Sequence, residues 1–204
     1  MPDVREYLDV LADLGHPVVQ HLRPGIDMSE ITRFETVTSL KLPDEIAKLF
    51  ALHNGTDFSG DIFLGQAQFV DGFHLMSLSE AIEAKEIVDE AIEDSPFVAD
   101  EPHAFDRRCA LPFLDDGAGD YMVVDVQPSS KRFGWIGTFL HAGDSRPDEF
   151  SSFSVFLAAH YEAAIEGVYR TNSKGFLDAP HRELESVLGR HKPAMENKRM
   201  ESNG

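Results

Sequence analysis

Basic residues are scarce in this chain. Its 204 residues include 18 lysines and arginines against 36 aspartates and glutamates, a net charge of −18. A field of that sign repels nucleic acid and anionic membranes and attracts basic proteins. Greater solubility is the competing reading of the same excess. Cysteine is nearly absent: Cys109 stands alone, which rules out an internal disulfide framework and fits a reducing cytosol. Arg107 and Arg108 beside it would favour its thiolate, although a thiol at a strand edge is the simpler reading. No apolar run approaches the length of a membrane span, and the opening Met-Pro-Asp-Val lacks the basic-then-apolar order of a signal peptide. A cytoplasmic protein is expected.

Catalytic spacing is missing as well. The chain has no H-E-x-x-H, no G-x-S-x-G, no phosphate-cradling G-x-x-x-x-G-K-[ST] and no dinucleotide-binding G-x-G-x-x-G. Its nine histidines are scattered, with no i, i+4 pair to place two on one helical face. The expectation is a chain that is not an enzyme and needs no cofactor and no metal. One carboxylate cluster, Asp115, Asp116, Asp120 and Asp125, has the oxygen-rich character of a Ca²⁺ or Mg²⁺ site. The other reading is a glycine turn whose aspartates accept from backbone N–H groups, and the spacing matches no EF-hand loop. Trp135 admits a ligand-stacking reading and His53 a catalytic one, but a strand tryptophan and a histidine ending an apolar stripe are more often packed.

What the chain does contain is organised around Leu111–Leu140. Alternating apolar residues there predict three short strands joined by turns at Asp115–Gly119 and Gln127–Ser130. In the third strand, Phe133, Trp135, Gly137 and Phe139 share one face and Arg132, Gly134, Ile136 and Thr138 the other. Upstream, Val4, Tyr7, Leu8, Leu11 and Leu14 have helical spacing, with Gly15 as a stop. Asp27 and Glu30 form a capping box for a second helix with Ile31, Phe34 and Val37 inward. Pro43 opens a third helix carrying Ile46, Leu49, Phe50 and His53, ended by Asn54-Gly55. Strands are expected at 61–69 and 73–76, then a helix from the Ser77–Glu80 capping box to Asp94.

Residues 95–108 are expected to form a long irregular segment, and 141–149 a second loop. Ser151 or Ser152 caps a helix with Phe153, Phe156, Leu157, His160 and Ala164 inward, running to about Arg170. A short helix is predicted around His181–Leu188. The prediction is thus one domain over 1–189, followed by a polar tail at 190–204 without apolar periodicity.

The run Phe34-Glu35, then Leu42-Pro43-x-x-Ile46-x-x-Leu49-Phe50-x-x-His53-Asn54-Gly55, resembles the opening signature of the SUKH superfamily, the Smi/Knr-like proteins. Later pieces agree in order: Leu75 with Ser77-Leu78-Ser79-Glu80, Leu111-Pro112-Phe113, Gly119-Asp120-Tyr121 before Val124-Asp125, and Ser152-Phe153 with Phe156-Leu157. The resemblance covers residues 28–165. It departs at Ala110-Leu111, where the family often carries tryptophan before its Pro-Phe strand. It implies an α+β fold, a mixed, mostly antiparallel sheet packed with helices from both ends of the chain. It also implies a non-enzymatic role. Bacterial members are typically immunity proteins that bind a cognate polymorphic toxin, often a nuclease, and fungal relatives act as cell-wall and signalling scaffolds.

Three readings follow: an inhibitor of a basic toxin domain, a regulatory adaptor with no toxin, and a metal-dependent hydrolase built on the Asp115–Asp125 cluster. The first carries a candidate surface. On the helix to Asp94, Leu78, Ala81, Ile82, Val88 and Ile92 share the core side. The opposite side carries Glu80, Glu83, Glu90 and Asp94 around Ile87. From Glu80 to Asp106 ten acids face one lysine, a net −9 that is half the excess of the whole chain. Like-charge pairs at i, i+4, such as Glu86/Glu90, oppose an isolated helix by about 0.2–0.5 kcal/mol each, so local stability does not favour this pattern. An apolar residue in an acidic ring has the make-up of a binding hot spot within a polar rim.

Overall fold

The computed structural model of the chain describes residues 1–94, 110–141 and 146–193. Helix α1 (Val4–Asp13) starts at Asp3, whose carboxylate accepts from the N–H groups of Arg5 and Glu6 while Glu6 accepts from the Asp3 N–H. It buries Tyr7, Leu8 and Leu11. A short strand β1 (Leu22–Pro24) leads to α2 (Met28–Thr38), where Glu30 accepts from the Asp27 N–H at 3.2 Å as the capping box requires. Ile31 and Phe34 are buried there, but Val37 is 76 % exposed, a correction to its expected inward place. At 100° per residue Val37 lies about 60° round from Phe34 and about 120° from Ile31, past the edge of the apolar stripe.

Pro43 is the N-cap of α3 (Asp44–Leu52), which buries Ile46, Leu49 and Phe50. The chain then passes directly into strand β2 (His53–Thr56), antiparallel to β1. Asn54-Gly55 therefore lies within a strand rather than closing a helix. Gly55 has φ +89°, and a Cβ there would lie 2.5 Å from the Ser77 backbone nitrogen. Its glycine is required both by conformation and by the approach of a neighbouring chain segment.

The expected strand at 61–69 shrinks to β3 (Gln68–Val70), because residues 57–66 form a loop with a single turn of 3-10 helix at Leu64–Gln66. Strand β4 (Phe73–Leu75) returns from the predicted turn at Asp71-Gly72, and α4 (Leu78–Asp94) follows. Strands β5 (Ala110–Asp115), β6 (Tyr121–Asp125) and β7 (Ile136–Phe139) are the three central strands, and β8 (Arg146–Phe150) adds a fourth where a loop was expected. These make a six-stranded sheet in the order β3-β4-β5-β6-β7-β8, antiparallel at every pairing among the described residues. Helix α5 (Phe153–Ile165) is capped by Ser152 and ends well before Arg170. The hairpin of β9 (Arg170–Thr171) and β10 (Leu177–Asp178), unforeseen from sequence, leads into α6 (His181–Leu188). The chain is thus α+β, with helices at both ends and two small two-stranded sheets, β1-β2 and the β9–β10 hairpin, beside the main sheet.

Both faces of the sheet are covered. The larger core holds Leu111, Phe113, Met122, Val124 and Ile136 from the strands against α1, α3, α5 and α6. Phe156 is fully buried at its centre, edge-on to Phe113 and Phe150. Contacts of this geometry add about 0.5–1.5 kcal/mol each beyond burial. The opposite face is smaller: Met76, Ala110, Tyr121, Val123 and Phe139 pack with Ala84 and Val88 of α4. The third central strand therefore begins only at Ile136, and it is Ile136, not the Phe133–Trp135 pair, that faces the larger core. Phe133 lies in the turn before the strand and is 36 % exposed. Consecutive apolar residues on strands covered on both faces cannot show which face is the deeper one.

Buried polar groups tie the layers together. The Tyr7 hydroxyl donates to the Phe69 carbonyl at 2.7 Å. His16, with its ring nitrogens 2.8 Å from the Gln68 carbonyl and 3.0 Å from that of Gly175, links the exit of α1 to β3 and to the β9–β10 hairpin. The first residues of the expected tail also pack on the domain. Arg190 pairs with Glu162 (3.1 Å) and Glu166 (2.6 Å), His191 pairs with Glu162, and Lys192 reaches the buried Glu149 (3.2 Å). Residues 194–204 lie outside the described residues, as does the 95–108 segment with Cys109.

Candidate partner-binding surface

Helix α4 is fastened by its first turn and its inner side. Ser77 and Glu80 form the predicted capping box, with the Glu80 carboxylate accepting from the Ser77 N–H at 2.6 Å. The Leu78 N–H is taken by the Asn54 side-chain oxygen at 2.9 Å, so β2 supplies a second cap across the fold. Leu78, Ala81, Ala84 and Val88 are buried and Ile82 is half-buried against the larger core. Lys85, the one cation of the helix, turns sideways: its amine donates to both Asp89 carboxylate oxygens and to the Ala110 carbonyl of β5.

With its cation drawn towards β5, the outer side of α4 is acidic. Glu83, Glu86 and Glu90 are exposed, and Ile87 stands among them at 58 % exposure. Glu80 differs from the others. Burial pushes its carboxyl up, but the hydrogen bonds from Ser77 and the charge of Arg23, 3.5 Å away, together hold it below the usual carboxylate range. Its main engagement is with the helix cap, and it stands at the inner margin of the predicted ring. Asp94 closes the helix, and its side chain lies outside the described residues. Of the predicted set, Glu83, Ile87 and Glu90 are brought together on one open face.

The Asp115–Asp125 cluster is engaged in turns. Asp115 accepts from the Gly117 N–H (2.7 Å), and Asp116 from the N–H groups of Ala118 (2.7 Å) and Asp120 (3.0 Å). Asp120 accepts from the His141 N–H (3.0 Å), and Asp125 from the Gln127 N–H and the Ser130 hydroxyl. Among the described residues no group of three or more His, Cys, Asp or Glu is placed to hold a metal ion. His53 is half-buried, with Nδ1 3.3 Å from the Arg23 carbonyl, and burial lowers its pKa. Trp135 is half-buried in the turn before β7. A cleft of about 540 Å³ lies between the N-terminus of α1, α3 and α5. Glu45 at its edge accepts from the N–H and hydroxyl of Ser154, which joins α3 to α5.

A second open surface escaped the sequence reading, the loop at 57–66 with Phe58, Phe63 and Leu64 exposed. The expected strand at 61–69 takes Phe63 and Leu64 into the sheet and leaves Phe58 outside it. The signals against it are Gly65 within the run, Gly60 just before it, and Asp57 placed to accept from the Ser59 N–H, as it does at 2.8 Å.

Among the described residues no helix is long and apolar enough to cross a membrane. The SMI1/KNR4 family (SUKH-1) model matches residues 25–159, about two thirds of the chain. That span runs from the turn before α2 into α5 and contains the whole of α4. No curated protein matches the chain.

Proposed function

Because this chain belongs to the SMI1/KNR4 family (SUKH-1), we propose that it is a non-enzymatic protein-binding domain: a cytoplasmic immunity protein that neutralises a cognate toxin. The toxin is a basic domain, with a nuclease favoured by charge. A nuclease binds phosphate, so the rim of its active site is positive, and an acidic inhibitor is steered to it and occludes it.

The observation that carries this reading is the outer face of α4. Ile87 is exposed within a field of glutamates, on a helix whose inner face and cap are engaged with the domain. A rigid helix presents such an anchor at little ordering cost. Glu83 and Glu90 speed encounter and choose the partner's sign, while Ile87 sets how long the complex lasts.

The test begins with the gene next to this one. A toxin-like C-terminal domain encoded there is expressed with this chain, and association is followed by stopped-flow at two salt concentrations. Glu83→Lys with Glu90→Lys is expected to slow association and flatten its salt dependence, and Ile87→Ala to speed dissociation. Toxin binding that ignores all three changes would move the contact off α4. A neighbour with no toxin domain, together with capture of signalling or cell-wall proteins, would replace inhibition by an adaptor role.

A further inference from the structure

The loop at 57–66 lies against the β3–β4 edge of the sheet and exposes three large apolar side chains: Phe58 at 38 %, Phe63 at 65 % and Leu64 at 37 %. It is held at each of them. Phe58 sits edge-on to His74, with ring centres 4.8 Å apart, and His74 lies 3.9 Å from Asp115. Leu64 lies beside Gly117, close enough that a Cβ there would come within 3.0 Å of its Cδ2. Phe63 meets Phe176 edge-on at 6.0 Å, and the Gln66 amide donates to the Lys174 carbonyl at 3.0 Å. The exposed side chains therefore belong to a seated loop, which gives a preorganised contact surface.

Charge says what it would accept. No lysine or arginine occurs in 49–84 or in 110–130, the stretches that build the loop, the edge strand and the turn beside it. Asp57, Asp61, Asp115 and Asp116 lie in the loop and in the neighbouring turn. Lys174 lies in the hairpin under the loop, and Arg23 is drawn to Glu80. Exposed apolar groups with a one-sign rim mark interaction sites. A second copy of this chain would bring another −18 against that rim, and anionic lipid or nucleic acid would be repelled likewise. A cationic polypeptide satisfies both the apolar and the acidic parts.

We propose that the 57–66 loop and the 115–119 turn form a docking surface, separate from the outer face of α4, for a basic protein segment that packs an apolar side chain on Phe63 and Leu64. A library of random 12-residue peptides displayed on phage, panned on the full chain at low salt, tests this without knowledge of the natural partner. Enriched peptides are expected to carry lysine or arginine on either side of Leu, Phe or Trp. Their affinity, read by fluorescence anisotropy, should fall at least tenfold in Leu64→Ser and severalfold, with a flatter salt dependence, in Asp61→Lys. Asp61 is exposed, so that variant tests the surface even where Leu64→Ser disturbs the loop. Glu83→Lys with Glu90→Lys should leave these affinities unchanged, which separates this surface from the α4 reading. No enrichment, enriched peptides that lack basic residues, or binding that ignores both loop variants overturns the proposal. So does a dimer in sedimentation that Leu64→Ser dissociates, since the occupant is then a second copy.

Discussion

The Tyr169 hydroxyl lies 2.6 Å from Nδ1 of His160, and both side chains are buried within the packing of α5. The same hydroxyl accepts from the Asp71 N–H at 3.3 Å, and its own proton is left to be shared with Nδ1 of a neutral imidazole, the direction set by the histidine tautomer. Burial pushes the Tyr169 phenol well up and keeps its proton in place. Burial first, then the charges of Lys192 and His191, lower the His160 pKa from 6.5 to about 3.

A pH dependence follows with a definite sign. Between about 6.5 and 3 the unfolded chain binds a proton at His160 that the folded chain refuses. Stability is complete above 6.5 and falls as pH drops towards 3, with a slope from this group of up to about 1.4 kcal/mol per pH unit. Urea unfolding at pH 7, 6, 5 and 4 should show it, and His160→Gln should remove about one proton from the slope. An unchanged slope in the variant would mean that other groups set the acid limit.

Glycine substitutions should separate two kinds of requirement. Gly55 and Gly119 have positive φ, +89° and +103°, and each loses about 1–2 kcal/mol on that ground when changed to alanine. At Gly119 the nearest atom to a new Cβ is 3.6 Å away, so the cost should stop there. At Gly55 the Ser77 backbone stands at 2.5 Å, and displacing it should add about 1–3 kcal/mol. Equal losses at the two sites by thermal unfolding would contradict the close approach of β2 to the start of α4.

Two truncations should differ. Removal of residues 194–204 is expected to leave the melting temperature nearly unchanged, as for a polar terminal segment. Removal from Arg190 onward takes Lys192 from Glu149, which is buried and also accepts from Thr138 at 2.5 Å. Losing this contact to a buried carboxylate should cost about 1–3 kcal/mol, while the more exposed pairs of Arg190 add little. Equal melting temperatures would show the Lys192 contact to be without weight.

On α4, neighbouring residues should respond oppositely. Ile87→Ala should change stability by less than about 0.5 kcal/mol, since the side chain is 58 % exposed. Val88→Ala, fully buried against β5 and β6, should cost about 2 kcal/mol. A large loss at Ile87 in the free protein would place it in the core and remove the anchor from the proposed face.

Elements written in local chemistry were legible from sequence alone. The capping boxes at Asp27–Glu30 and Ser77–Glu80, the Ser152 cap and the His181–Leu188 helix stand where periodicity and end signals put them. The same rule set Ile87 and Val88 on opposite sides of α4, because a long helix repeats its phase often enough to read. The apolar strands β4, β5 and β6 were legible too, with the later part of β7, but elements that only pairing or a distant contact defines were not. Strand β8 reads Arg146-Pro-Asp-Glu-Phe150, polar until its last residue, and is a strand because β7 offers it an open edge. Asn54-Gly55 has the composition of a helix stop, yet its role comes from Ser77 and Leu78, more than 20 residues away. The exposed loop at 57–66 was hidden for the same reason, since Phe63 and Leu64 read as strand until the contact with Phe176 and the Gly117 turn is known.

The Asn54 bond to the Leu78 N–H separates two kinds of information held in one helix. Where α4 sits is dictated from behind and below, by Asn54, the Ser77 cap and a few small buried residues. None of these side chains reaches the outward stripe of Glu83, Ile87 and Glu90. Address and message are thus written on different sides. Substitutions in that stripe can therefore change what α4 presents to its surroundings with the address left as it is.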